Sequence, residues 1–544
     1  MGGVQANKVK ALGVFKGMTK GQSKPVFRPY HQHQMMLLPA SLDDMVAGNH
    51  PVRTISQVID GLNIDPLLAK YKGGGSASYH PRMLLKVLVY AYTTNVYSSR
   101  KIEEACQQNI HFLWLSGMQK PDHHTINRFR SERLKHVFRQ VFTQVVHLLA
   151  AEGILSLKEI YVDGTKIEAN ANRYTFVWGN AIKTNKEKMA VQLKELWQYA
   201  QSIAKEEMGD DTPTDFSPIS PEKVKETVEK IDAALRDNPD AAPKARQKVA
   251  YAKKHWPEAL ERYNRQEQIL AGRNSYSKTD PDATFMRMKE DHMKNGQLKP
   301  GYNVQISGSK QCIVSYSIHP NPTDTLTLAP HLEQFEKALG RLPQTLTADA
   351  GYGSEQNYEL LAQKGIEAYV KYGYFDKDQS ESERSKRPFT QDKLHYNKEK
   401  DCYICPIGQP MENIGQTIKK TQSGYIQKIT RYQAKNCEGC PMRGLCHKGS
   451  GNRILEVNHN LNKHKQDAHQ ALTSEAGKNH RKRRPVEVEP IFGNIKENHR
   501  YRRFMLRGHE KVEIEFGLLA LAQNLRKKCR ENGKKEHHKT GKAA

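Results

Sequence analysis

Acidic residues are scarce in this chain. Its 544 residues carry 59 Asp and Glu against 85 Lys and Arg, a formal charge of +26. So basic a balance argues against a cationic partner and suits a polyanion, because neutralising phosphates releases their counterions. Long apolar runs are also missing: nothing approaches the roughly 20 residues a membrane helix requires. The opening "MGGVQANKVKALGVFKG" has no extended apolar region and no small-residue cleavage site, so a signal peptide is not expected and a cytoplasmic setting is. Cysteine is sparse, with eight in all, and in that setting thiols or metal ligands are expected rather than disulfides. Hydrophobic residues still make up 37% of the chain, enough for cores, although the mean hydropathy of −0.77 leaves much of it solvated.

This length predicts more than one domain. Residues 1–30 are basic and read as a flexible arm. From 31 to 150 the pattern is helical. In "HPRMLLKVLVYAYTTN" the apolar residues recur at helical spacing behind Pro81, which suits a first turn. Ser99 reads as the N-cap of a second helix, and Pro121 with Asp122 breaks and caps another. That last helix carries Arg128, Arg130 and Arg133, so the segment reads as a helix-turn-helix-like DNA-binding domain.

Residues 151–374 read as the first part of an α/β core. A strand over 159–170 gives way at about 180–275 to a charged helical insertion, in which Ser220 caps a helix opening at Pro221. Strand pattern returns with "YNVQISG" and "CIVSYSIH", then a helix ended by Gly340, then the strands of "TLTADAGYGS" and "GIEAYVKY". Such an order suits a mixed sheet. Residues 375–480 form a polar, basic, cysteine-bearing insert, 481–530 are helical, and 531–544 read as a disordered tail.

Two of these strands deliver an acid at their ends, Asp163 in "IYVDGTKIEA" and Asp349 in "LTADAGYGS". Paired carboxylates on one sheet suit hard divalent cations such as Mg²⁺ or Mn²⁺, which activate an oxygen nucleophile in phosphodiester chemistry. A third acid is expected among Glu487, Glu489, Glu510, Glu513 and Glu515. Glu489 is favoured because Pro490 should sit in a first turn, placing Glu489 at a helix entry, with Lys496 on about the same face to meet a phosphate. Asp324 reads as an N-cap, and Asp280 and Asp282 as turn formers around Pro281. In the insert, Cys402 with Cys405 and Cys437 with Cys440 make two CxxC pairs, with Cys446 as an alternate ligand. This pattern predicts a structural Zn²⁺ site.

Taken together, "YVDGTKIEANANRYTFVW", "DPDATFMRMKEDHMKNGQLKPGYNVQI", "LTADAGYGS" and "VEPIFGNIKENHRYRRFMLRGHEKVEIEFGLLALAQNLRK" resemble a DDE transposase of bacterial insertion sequences. The resemblance is to the group numbered eleven eighty-two, related to the insertion-sequence-four and -five groups, and it covers most of residues 30–528. It implies a ribonuclease-H-like catalytic core with Asp163 on the first strand, Asp349 after the fourth and Glu489 on a late helix. Glu510 is a rival, because the family's tyrosine–arginine–glutamate–lysine signature is not met at Tyr501, where Phe504 stands in the arginine's place. The implied activity is metal-dependent cleavage and strand transfer at element ends. The implied partners are double-stranded DNA, as terminal inverted repeats and target, and a second copy of the chain, in a bacterial, nucleoid-associated setting. Arg128, Arg130, Arg133, Lys496 and Arg507 are the expected DNA contacts. A nuclease without strand transfer and a non-catalytic DNA-binding descendant are the alternatives.

Overall fold

The computed structural model describes residues 41–71, 77–208, 216, 218–288, 296–386 and 388–540. The expected arm at 1–30 and the last four residues of the expected tail, 541–544, lie outside them. The chain divides into Met1–Met45 and Val46–Ala544. The first unit contributes a short 3-10 turn, Leu42–Met45, to the described residues.

Helices fill the region up to Ala151. Pro81 opens the helix Pro81–Thr93, whose apolar stripe is buried. Asp122 caps the helix His123–Arg128, its carboxylate accepting from the Thr125 N–H at 2.6 Å. The cap expected at Ser99 falls one residue earlier, on Ser98.

The central sheet has six strands among the described residues, five of which are β1 (Glu159–Glu168), β2 (Leu298–Ser309), β3 (Cys312–His319), β4 (Thr345–Ala348) and β5 (Glu367–Val370). β1 pairs antiparallel with β2, and β2 with β3. On its other edge β1 pairs parallel with β4, and β4 with β5. The spatial order is therefore 3-2-1-4-5, with the short strand Thr284–Arg287 alongside the start of β2. The turn between β2 and β3 puts Lys310 and Gln311 at positive φ, as a tight reversal requires.

Opposite faces of the sheet take different helices. Against one, helix α1 (Leu328–Leu339) buries His331 between the hydroxyls of Ser307 and Ser317, both 2.7 Å away. Against the other, helix α2 (Glu475–Gly493) lays Val488 and Ile491 over Gly308, where a Cβ would lie 3.0 Å from Val488 Cγ1 and 3.3 Å from Ile491 Cδ1. The last helix, α3 (His509–Thr540), packs Phe516 on Tyr316, and its Asn524 makes two 2.7 Å bonds with the backbone of Ile313. It continues past residue 530, where a disordered tail is expected. Lys527 and Lys534 flank Glu531 at helical spacing, and such pairs favour continuation.

The helical insertion is a separate small bundle of Gly179–Ile203, Pro221–Arg236 and Pro243–Leu270. Its own core includes Trp197, Val228, Ile231 and Trp256. A two-stranded ribbon, Phe176–Trp178 with Ser275–Ser277, closes its base. The cysteine-rich insert is more ordered than its composition suggests. It holds a five-stranded antiparallel sheet around Tyr403, Met411, Tyr432 and Leu455. Alternation is weak there because most of the longest strand, Pro410–Lys420, is exposed on both faces, so periodicity alone does not reveal the strands.

Candidate active site

Register brings the two aspartates together. Tyr161 of β1 lies beside Thr347 of the parallel strand β4, so two residues further on Asp163 comes level with Asp349. Odd-numbered positions of β1 face α2: the Tyr161 hydroxyl is 3.2 Å from His480 Nδ1, and the Arg483 guanidinium lies over its ring. Asp163 therefore points at α2 as well.

There it meets Arg484, whose Nη2 lies 3.0 Å from Asp163 Oδ1 and 3.6 Å from Asp349 Oδ2. One cationic group thus spans both carboxylates. Arg484 is in phase with Val488, Ile491 and Ile495, at steps of four, seven and eleven residues, so the apolar stripe that docks α2 also aims the guanidinium inward. That phase is readable in "RRPVEVEPIFGNIK", but a metal site calls for anionic ligands, so the sequence points to the acids and not to Arg484.

The same geometry turns Glu489 away. The helix does not begin at Pro490 but at Glu475, where the Ser474 hydroxyl accepts from the Gly477 N–H at 3.0 Å. Pro490 is tolerated inside the helix because the Val486 carbonyl, which its missing N–H would have bonded, accepts from Gln311 Nε2 at 3.2 Å. Glu489 sits five residues beyond Arg484, about 140° round the helix. It is exposed and makes no side-chain hydrogen bond or ion pair among the described residues. Its rivals lie elsewhere too. Glu510 pairs with Lys135 at 2.5 Å, Glu513 with Arg139, and buried Glu515 accepts from the N–H groups of Met505 and Leu506. Glu487 accepts from the Gln311 N–H at 3.1 Å.

The acid that does adjoin the pair is Asp324. It does not cap through its side chain. Its Oδ1 instead accepts from Asn303 Nδ2 and Gln305 Nε2, both at 2.8 Å. The buried Tyr352 hydroxyl donates to Gln305, and its pKa is pushed well up by burial and then by Asp324, Asp163 and Asp349, with Arg484 acting in the opposite sense.

The expected DNA contacts divide. Arg128 is exposed, 3.4 Å from Glu132. Arg507 is exposed, with its Nε donating to the Asn170 carbonyl at 2.8 Å. Arg130 is only 2% exposed and donates to the Tyr92 hydroxyl and the Tyr97 carbonyl, so it is a core residue. Arg133 is anchored on the Lys70 carbonyl and over the Tyr71 ring. Lys496 is 6% exposed, buried in the π-helical turn Asn494–Asn498 that follows α2.

In the insert, Cys405 and Cys437 pack against the same small core. The N–H of Gln409 donates to Cys405 Sγ and that of Arg453 to Cys437 Sγ, while Arg453 Nη1 lies 2.7 Å from Cys446 Sγ. Cys402 is buried in a strand next to Tyr403, and the pleat sends its side chain to the opposite face. No group of three or more His, Cys, Asp or Glu among the described residues is arranged to hold a metal ion.

A mixed α/β sheet with two aspartates level on neighbouring strands is consistent with a ribonuclease-H-like core. Comparison with known families points the same way. Residues 404–529 match the family described as a transposase DDE domain, and residues 40–132 match a transposase domain (DUF772). The first match spans α2 with Arg484 and most of α3; Asp163 and Asp349 fall outside both. No curated protein and no solved structure matches the chain. The two matches support an insertion-sequence transposase of the DDE type. No described helix is long and apolar enough to cross a membrane.

Proposed function

We propose that the chain cuts and rejoins DNA at the ends of an insertion sequence, using divalent metal held by Asp163 and Asp349. The observation that carries this reading is the shared contact of both aspartates with the Arg484 guanidinium, a cation standing where the two carboxylates converge. Oxygen donors of this kind suit Mg²⁺ or Mn²⁺. When bound, such an ion supplies Lewis-acid activation of a water or 3′-hydroxyl and stabilisation of the leaving oxygen. The chain's own part is to fix the two carboxylates on rigid strands and to supply Arg484, whose guanidinium would be available to a phosphate if Asp163 and Asp349 held metal. The exposed cations Arg128 and Arg507 are placed to hold phosphates and position the duplex. Membership of the group numbered eleven eighty-two, and the pairing of two copies at element ends, belong to the same proposal.

The test is purified protein with Mg²⁺ or Mn²⁺ and labelled element-end DNA. Cleavage followed by a joined product is expected, and its loss in Asp163→Asn and Asp349→Asn variants that still bind DNA. Cleavage without joining would leave a nuclease, and unchanged products in both variants would sink the assignment. For the insert, the ligand set that fits best is Cys405, Cys437, Cys440 and Cys446, because Cys402 faces away. About one zinc per chain by elemental analysis, unchanged in Cys402→Ser and lost in Cys437→Ser, is the expected result.

A further inference from the structure

We infer that Asp324 is a further carboxylate of the metal site, sharing a divalent cation with Asp349. The inference rests on the metal-dependent reading above and goes beyond the pair of aspartates. Both aspartate motifs carry a glycine just past the acid, and both glycines stand against Asp324. A Cβ on Gly164 would lie 2.6 Å from Asp324 Oδ1 and 2.4 Å from Gln305 Nε2. A Cβ on Gly351 would lie 3.0 Å from Asp349 Oδ1 and 3.5 Å from Asp324 Oδ2. Gly164 thus opens the space that Asp324 occupies, and Gly351 keeps the gap between the two carboxylates clear.

The two oxygens of Asp324 have different surroundings. Oδ1 is held by the Asn303 and Gln305 amides, which fix the carboxylate rigidly to β2. Oδ2 is directed to the Gly351 side, toward Asp349. Asp324 is only partly buried, so an ion can reach it. Asn303 and Gln305 lie on the sheet face opposite Asp163, and the cluster therefore wraps round the end of β4, with Asp349 common to both sides. The gap between the Asp349 and Asp324 carboxylates, and the guanidinium between Asp349 and Asp163, make two adjacent cation positions, the number that in-line phosphodiester displacement uses.

The test is Mn²⁺ titration of the full chain followed by electron paramagnetic resonance, which needs no turnover. Asp324→Asn keeps the Oδ1 acceptor and removes the charge. It is expected to lower Mn²⁺ affinity about tenfold, or to remove one of two bound ions, while the metal-free melting temperature stays at the wild-type value. Wild-type Mn²⁺ binding in Asp324→Asn, alongside weakened binding in Asp163→Asn, would overturn this inference alone. Wild-type binding in both would overturn the metal reading of the whole site. As a check that needs no substitution, Fe²⁺-driven hydroxyl-radical cleavage of the wild-type backbone is expected beside residues 163, 324 and 349. Cuts at 163 and 349 with none near 324 would also overturn it.

Discussion

Asp163 and Asp349 converge on a single nitrogen of Arg484, at 3.0 and 3.6 Å. Two carboxylates held this close repel one another unless a cation lies between them. Here that cation is the guanidinium, so on the proposed metal-dependent reading Arg484 and a divalent ion would compete for one place.

Arg484→Gln removes the competitor. The metal-free protein should lose about 2 kcal/mol of stability, the scale of a hydrogen bond to a charged group. Saturating Mn²⁺ should restore it, so the metal-induced rise in melting temperature is larger in the variant than in the wild type. Equal rises by differential scanning fluorimetry would show that Arg484 does not stand in the metal's place.

Gly164→Ala tests the close packing beneath Asp163. The new methyl would meet Gln305 Nε2 and Asp324 Oδ1 well inside van der Waals distance, and both belong to a hydrogen-bonded network that ends on buried Tyr352. Overpacking of this kind costs about 1–3 kcal/mol. A chemical denaturation midpoint equal to the wild type would contradict the placement of Asp324.

Much of this arrangement is legible in the residues, and what is not has a physical reason. "IYVDG" and "LTADAG" announce strands that end in acids, and the parallel register of β1 and β4 does the rest. Glu489 misleads because Pro490 is a good first-turn residue, and the local sequence does not show that Gln311, far away in the chain, caps the carbonyl that Pro490 leaves open. Asp324 reads as a cap because its partners, Asn303 and Gln305, come from another strand. Both departures arise from tertiary contacts that local pattern does not encode.

Arg128 and Arg130 look equivalent in the sequence and should behave oppositely. Arg130 lies in a buried network with Tyr92, Tyr97 and Glu515, whose carboxyl pKa is raised by burial and lowered again by Arg130. Arg130 reaches Glu515 through the Tyr92 hydroxyl, so Arg130→Ala strands buried hydrogen-bonding groups and should cost about 1–3 kcal/mol. Arg128→Ala should leave stability unchanged within about 0.5 kcal/mol, as exposed substitutions do. If it binds phosphate, its loss should reduce the salt dependence of DNA affinity by about one charge. Urea denaturation of both variants, with DNA binding at two salt concentrations for Arg128→Ala, reads out each arm.

Buried histidines make the fold sensitive to mild acid. His331 is fully enclosed between Ser307 and Ser317, and burial pushes its pKa from 6.5 down to about 3. His319 is pushed from 6.5 to about 4 by burial and then by His509. Each takes up a proton more readily in the unfolded chain than in the folded one, so the unfolded state gains as pH falls. Their stabilising effect is complete above about pH 6.5 and is lost progressively below it, toward their folded pKa values. Each histidine contributes up to about 1.4 kcal/mol per pH unit. Between pH 6.5 and about 5 most carboxylates are still charged, so the fall in stability there reports chiefly on histidine. His331→Gln can still bond a serine hydroxyl but does not titrate. Its stability at pH 7 should be lower than wild type, and its decline between pH 6.5 and 5 shallower. An unchanged slope in urea melts across that range would show that His331 already has its ordinary pKa in the folded protein.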